Sequence, residues 1–269
     1  MKSNNVNECN VNTLNARQLI LKLLTVANHG ILTISEALRA GELFEISENN
    51  IRVTIARLTK SNLVEIIERG SYRLGSKGLK LGSDVASWRS IEDRLVEWDG
   101  SWIVAATGGL PLSNRKDLRA RIRALTMLGM LELNSTLYIR PNNLRGGVIA
   151  VRDRLSNLGL GSDAAVFLAS EFDPKRQKRA LNLWKDKVAT ISYDKHTTLL
   201  NSWLNKVDDL QLKTAARESY LLGDEAIRRI IFDPLLPAPF VDEESRNDFI
   251  ETMKRFDDIG RKIWAKFLN

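Results

Sequence analysis

ISENNIRVTIARLTKSNLVEIIERGSYRLG, residues 46–75, decides how the chain is read. Ser47 is a helix N-cap, because its hydroxyl can accept from a free amide of the first turn. Ile51, Ile55 and Leu58 recur at i, i+4 and i+7, one buried stripe. The opposite face holds Asn49, Val53, Ala56 and Lys60, flanked by Arg52 and Arg57. Small apolar residues ringed by donors suit a helix that lies deep in a DNA major groove. Leu63 to Ile67 reads as a strand, Arg69-Gly70 as a turn and Ser71 to Leu74 as the return strand. Helix and hairpin together read as the recognition helix and wing of a winged helix-turn-helix. Arg69 and Arg73 on the wing would reach phosphate or minor groove.

The plainer alternative is an amphipathic helix and hairpin in an ordinary mixed domain. The residues upstream favour the first reading. Leu14 to Asn28 is helical, with Leu19, Leu23 and Val26 on one face, and His29-Gly30 ends it. Thr33 to Leu43 is a second helix, opened by the capping box Thr33 and Glu36. Three short helices and a hairpin is the winged-helix order.

The 269 residues allow two or three domains, and a hydrophobic content of 43% suits folded cores. The net charge of +7 suits a polyanionic partner. Between Asn49 and Lys80 seven Lys and Arg face two Glu, so the excess sits at the DNA candidate. The single cysteine, Cys9, excludes an intrachain disulfide, and with only His29 and His196 beside it no metal site is expected. Met1 to Val11 lacks the apolar core of a signal peptide, and no apolar run nears the roughly 20 residues of a membrane span. A soluble cytoplasmic protein with no membrane partner is expected.

The expected division is a disordered tail over 1–13, the winged helix-turn-helix over 14–75 and a linker helix over 76–98. A middle domain over 99–172 and a helical C-terminal domain over 173–269 follow. In the middle, strands are expected at Trp102–Thr107, Met130–Leu133, Thr136–Arg140 and Ala164–Ser170, and helices at Ser113–Leu128 and Asn143–Leu158. That β-α-β-β-α-β order is ferredoxin-like, with two helices on one sheet face and the other face free. In the first of these helices Leu118, Ile122 and Leu125 are expected inward, with Arg115, Lys116, Arg119, Arg121 and Arg123 around them. Pro174 opens the tail helices. Asp233-Pro234-Leu235-Leu236-Pro237-Ala238-Pro239 is a rigid connector holding half of the six prolines. The fold class is thus α+β.

These residues carry a resemblance that spans nearly the whole chain. Ile51-Arg52-Val53, Ala56-Arg57-Leu58, Trp98-Asp99-Gly100-Ser101-Trp102, Leu183-Trp184 and Arg228-Arg229-Ile230 followed by Asp233-Pro234-Leu235-Leu236-Pro237 resemble the PaaX family of phenylacetate-catabolism repressors. The resemblance implies a winged-helix head, a middle domain similar to the Cas2 proteins and a helical tail. It also implies a homodimer that binds double-stranded operator DNA and is released by an acyl-CoA thioester. The pattern departs from the family's at Gly223-Asp224-Glu225 and at Phe232, which leaves the ligand open.

The alternative to a regulator is an enzyme, a Cas2-like metal-dependent nuclease. Cas2-type metal-dependent nucleases carry an aspartate at the end of the first ferredoxin-like strand. Here that strand ends Val104-Ala105-Ala106-Thr107, with Asp99 before it and Asp117 within the following helix. No catalytic residue, metal ligand or cofactor is therefore expected. A winged helix that binds protein rather than DNA is the third class. Phosphate-binding arginines and aromatic platforms suggest an effector set of Trp102, Arg115, Arg119, Tyr138, Trp184, Arg228 and Arg229. Their plainer reading is solvated helix faces for the arginines and core for the tryptophans.

Overall fold

The computed structural model describes residues 14–27, 30–79, 87–111, 114–185 and 192–269. The expected tail at residues 1–13, with Cys9, lies outside them, as do His29 and residues 80–86. The protein is α+β, with two antiparallel sheets among its helices. It divides into two compact units. The first takes Met1–Ser87, Asn205–Asp224 and Arg255–Asn269; the second takes Trp88–Leu204 and Glu225–Lys254.

The first unit begins with α1 (Ala16–Val26), β1 (Ile31–Thr33), α2 (Ile34–Leu43) and α3 (Glu48–Lys60). β2 (Val64–Glu68) and β3 (Ser71–Leu74) form a hairpin, and β1 adds to β3 to give the sheet order β1-β3-β2. The helix starts are fixed locally. Asn15 and Gln18 form a reciprocal capping box at α1. At α2 the Glu36 amide donates to Thr33 Oγ1 at 3.2 Å and the Thr33 amide donates to Glu36 Oε2 at 2.6 Å. The hairpin turns at Gly70, whose φ of +84° suits glycine, and the Gly70 carbonyl accepts from the Ile34 amide at 2.8 Å.

Ile51, Ile55 and Leu58 of α3 are buried against Leu19, Ile20 and Leu23 of α1 and Leu32 of β1 in one core. Ala216, Tyr220, Trp264 and Phe267 belong to the same core, although they come from the end of the chain. Each large apolar side chain buried this way contributes on the order of 1.5–3 kcal/mol. This is why residues 173–269 do not stand apart as one helical domain. The long helices α8 (Leu212–Ile231) and α9 (Glu243–Leu268) give residues 212–224 and 255–268 to the first unit.

The single helix expected over 76–98 is not formed. Residues 76–79 are helical, and Ser87–Ser90 and Glu92–Arg94 are short 3-10 turns. Beyond Arg94 the chain is drawn out straight: Leu95 forms a β-bridge with Leu144 and the Val96 amide donates to Asn143 O at 2.9 Å.

The second unit carries β4 (Trp102–Ala106), α4 (Arg115–Met127), β5 (Leu131–Asn134), β6 (Leu137–Pro141), α5 (Gly147–Asn157) and β7 (Ala165–Ala169). Its strands order as β5-β6-β4-β7, and every pairing is antiparallel. Ile103 and Ala105 of β4 pack with Ala124 and Leu125 of α4 and Val151 and Leu155 of α5. Side chains alternate along a strand, so Trp102 and Val104 point to the other face. That face, expected to be free, is covered only in part: Phe167 of β7, opposite Val104, is 43% exposed. Trp102 is fully buried among Trp98, Phe172, Trp184 and Phe240, and Ile139 beside Val104 is fully buried as well. α6 (Pro174–Asn182) packs beside β5, where Arg179 Nη1 donates to Asn134 Oδ1 at 3.0 Å. α7 (Tyr193–Leu204) completes the named helices.

In α4 the inward face also differs. Arg121, Ala124 and Leu125 are buried, whereas Ile122 is 50% exposed. The Arg121 guanidinium donates to Pro111 O at 3.0 Å, which holds the helix in that phase. No helix among the described residues is long and apolar enough to cross a membrane.

Candidate nucleic-acid interface

α3 presents two faces of opposite character. Its stripe of Ile51, Ile55 and Leu58 is buried, which turns Asn49, Arg52, Val53, Ala56, Arg57 and Lys60 outward, all exposed. The centre of that outer face is low, because Val53 and Ala56 have short side chains. The donors stand around it. Ser47 caps the helix on the Asn50 amide at 3.4 Å. Arg57 and Lys60 lie in the last turn, where cations complement the partial negative charge of the helix end. Among the described residues Arg57, Lys60 and Arg69 form no ion pair. Arg52 Nη2 lies 3.7 Å from Glu48 Oε2, one turn back on the same helix, and both side chains are exposed. An exposed pair of this kind is worth at most about 1 kcal/mol, so a phosphate can compete for the arginine.

The hairpin brings Arg69 and Arg73 to the surface, both exposed. Arg73 is engaged by Glu65, directly across the β2–β3 ladder. Glu68 Oε1 accepts from Ser71 Oγ at 3.3 Å. Between the two glutamates Ile66 is 60% exposed and Ile67 44% exposed, beside a register shift in the ladder. The hairpin is thus amphipathic rather than simply basic.

The residues proposed for an effector fall into separate places. Trp102 and Trp184 stack with ring centroids 5.9 Å apart in the second unit's core. Trp102 Nε1 donates to Gln177 Oε1 at 3.2 Å and Trp184 Nε1 to Gly129 O at 3.2 Å, so both indoles are spent on structure. Arg115 and Arg119 are exposed on α4. Tyr138 is half-buried on β6, and burial pushes its hydroxyl above the ordinary value. Arg228 and Arg229 line a pocket at the end of α8.

Asp99, which precedes the first strand of the middle domain, accepts from the Ser101 amide at 2.9 Å and from Ser101 Oγ at 2.5 Å. Those bonds hold its carboxyl below the ordinary value and tie the turn before β4. Among the described residues no group of three His, Cys, Asp or Glu could hold a metal ion.

Two groupings were not anticipated. Arg140 of β6 is fully buried, and it donates to Leu128 O at 2.6 Å, Asn143 Oδ1 at 3.0 Å, Pro141 O at 3.1 Å and Pro234 O at 3.3 Å. All four acceptors are neutral. Burial, and then the charge of Arg154, pull its pKa down to about 9. Asn143 Nδ2 donates to Leu235 O at 2.7 Å. Arg140 and Asn143 therefore clamp the proline connector to the sheet. Gly129 completes the clamp: its φ is +65°, and a side chain there would come within 2.5 Å of Pro234 Cβ. The second grouping surrounds Asp233. Tyr193 Oη donates to Asp233 Oδ2 at 2.5 Å, and the Leu235 amide donates to Oδ1 at 2.7 Å. Burial raises the Asp233 carboxyl. Burial, and then the Asp233 charge, raise the Tyr193 hydroxyl strongly. The aspartate before a proline was visible in the sequence; its tyrosine, forty residues upstream, was not.

No family model and no curated protein matches the sequence. Among solved structures the chain is similar to an uncharacterized protein, Rv0674, from Mycobacterium tuberculosis, with a TM-score of 0.64 and 18% identity. The match covers 94% of this chain and 97% of that one, so the likeness in fold extends over essentially the whole length of both.

Proposed function

We propose that the protein is a DNA-binding transcriptional regulator, a homodimeric repressor of a catabolic operon released by a small organic effector. One observation carries the reading: the outer face of α3. A helix with three residues locked in the core, a low exposed centre and cations at the rim has the shape and charge to enter a major groove. In this reading α1, α2 and α3 with the β2–β3 hairpin are a winged helix-turn-helix, and Arg69 and Arg73 contact phosphate from the wing. The β-α-β-β-α-β segment is a ferredoxin-like, Cas2-like platform that helps to pair two copies. The resemblance to the PaaX repressors supports the same assignment, as do the Arg-Arg and Asp-Pro-Leu-Leu-Pro residues of the second unit.

Paired winged helices read paired half-sites, because the two-fold axis of the protein is imposed on the DNA. Selection of bound duplexes from a random library by the full-length protein should enrich a single inverted repeat. A library that stays random after repeated rounds would contradict the assignment.

The exposed Ile66 and Ile67 between Glu65 and Glu68 favour a second reading, in which the hairpin contacts protein. Replacing both isoleucines by serine distinguishes them. Duplex affinity is retained if the hairpin meets protein and the recognition helix alone meets DNA.

A further inference from the structure

The outer face of α3 is ordered along its length. At 3.6 residues per turn, Asn49, Val53, Ala56 and Lys60 fall on one line along the helix, opposite the buried Ile51, Ile55 and Leu58. Arg52 and Arg57 lie roughly 70° to either side of that line. The line therefore carries an amide, two short apolar side chains and, in the last turn, an ammonium. Asn50, the other exposed amide of the first turn, lies off the line, and its Oδ1 accepts from Thr54 Oγ1 at 3.2 Å. Asn49 makes no such bond among the described residues. Glu48 lies off the line as well, its Oε2 3.7 Å from Arg52 Nη2.

That order selects bases. In the major groove a guanine edge presents two acceptors, a cytosine edge one donor, an adenine edge an acceptor beside a donor, and a thymine edge an acceptor and a methyl group. An asparagine amide has a donor and an acceptor side by side. It matches adenine, sets its carbonyl against the acceptors of guanine, and finds no acceptor for its NH₂ on cytosine. Val53 and Ala56 offer no hydrogen bond. Against guanine, cytosine or adenine they would leave buried polar groups unpaired, whereas thymine presents them with a methyl. Asn49 and Val53 stand one turn, about 6 Å, apart, which spans at most two base steps of about 3.4 Å each. We propose that α3 reads an adenine with Asn49 and, within two base steps of it, a thymine methyl with Val53, Ala56 leaving room for the approach. This rests on the regulator reading and adds to it which bases the half-site must hold.

The test uses the full-length protein and the duplex it enriches from the random library. Base analogues are placed singly in one half-site, and affinity is read by anisotropy at fixed salt. Deoxyuridine removes only the thymine methyl, and 7-deazaadenine removes only the N7 acceptor. Deoxyuridine at one position should weaken binding about fourfold, the worth of one buried methyl. Within two base steps of it, 7-deazaadenine at one position should weaken binding at least about fivefold. In Val53→Ala the first loss should shrink below about twofold, and in Asn49→Ala the second should vanish, because each analogue then removes a contact already gone. Both residues are exposed, so the variants spare the fold. A half-site without an A·T pair, wild-type affinity on every analogue, or losses that persist unchanged in the two variants would each overturn the base assignment and leave DNA binding in place. A library that stays random would instead remove the regulator reading, and the base assignment with it.

Discussion

Ala56→Glu should abolish duplex binding by the proposed regulator and leave the fold intact. Ala56 lies at the low centre of the exposed face of α3, clear of the Ile51, Ile55 and Leu58 stripe. The substitution costs the helix no more than a few tenths of a kcal/mol. In a groove, the new carboxylate would face phosphates on both sides, and like charges brought together at an interface cost several kcal/mol. The affinity for a selected duplex should fall by about a hundredfold or more, with an unchanged circular dichroism spectrum and melting temperature. Arg57→Ala should be milder, about 1–3 kcal/mol if the guanidinium grips a base edge. Anisotropy on labelled duplex at fixed salt measures both. Wild-type affinity in the glutamate variant would remove this helix from the interface.

The second large effect concerns stability. Arg140→Ala deletes a fully buried guanidinium and leaves Leu128 O, Pro234 O and Asn143 Oδ1 without that donor. Each buried acceptor left unpaired costs about 1–3 kcal/mol, and a cavity adds to it. A loss of about 3–5 kcal/mol in urea unfolding is expected, in the range of a broken buried charged contact. Arg140→Lys should recover little, because one ammonium cannot serve acceptors spread around a planar fork. Asn143→Ala, which frees only Leu235 O and Arg140 Nη2, should cost less than Arg140→Ala. A neutral Arg140→Ala would show that the connector is held by something other than this clamp.

What was legible in the sequence was what local chemistry decides. The Ile51, Ile55 and Leu58 stripe can face only one way, and Thr33 with Glu36 can close only one helix start. The β-α-β-β-α-β order followed from apolar strands and glycine-ended helices. What was not legible depended on distant partners. β1 has only three residues and exists because β3 offers it an edge. The sequence RKDLRARIRALTM supports two helical phases, and Pro111 O and the sheet choose the one that buries Arg121 rather than Ile122. The sheet face expected to be free is covered at Trp102 by Phe172, just beyond β7, and by Trp184 and Phe240 from farther along the chain. Trp102 and Trp184 suited either a core or a ligand platform, because nothing local says where an indole N–H finds its acceptor. A buried Arg140 is invisible for the same reason, since carbonyls have no sequence signature. The first unit's core takes Tyr220, Trp264 and Phe267 from the end of the chain. A cut near residue 98 would therefore strip the proposed DNA-binding head of part of its own interior, and experiments on it need the full chain.

Arg52, Arg57, Lys60, Arg69 and Arg73 are all exposed, as are Asn49, Val53 and Ala56, and the proposed regulator would meet phosphate with these cations. Its most direct test is the salt dependence of duplex affinity. Every phosphate neutralised by a cation contributes about −0.9 to the slope of log K against log salt. The full-length protein should give a steep negative slope on its selected duplex, and Lys60→Ala with Arg69→Ala should flatten it measurably. A slope near zero, with affinity indifferent to both substitutions, would contradict the assignment of this surface to DNA.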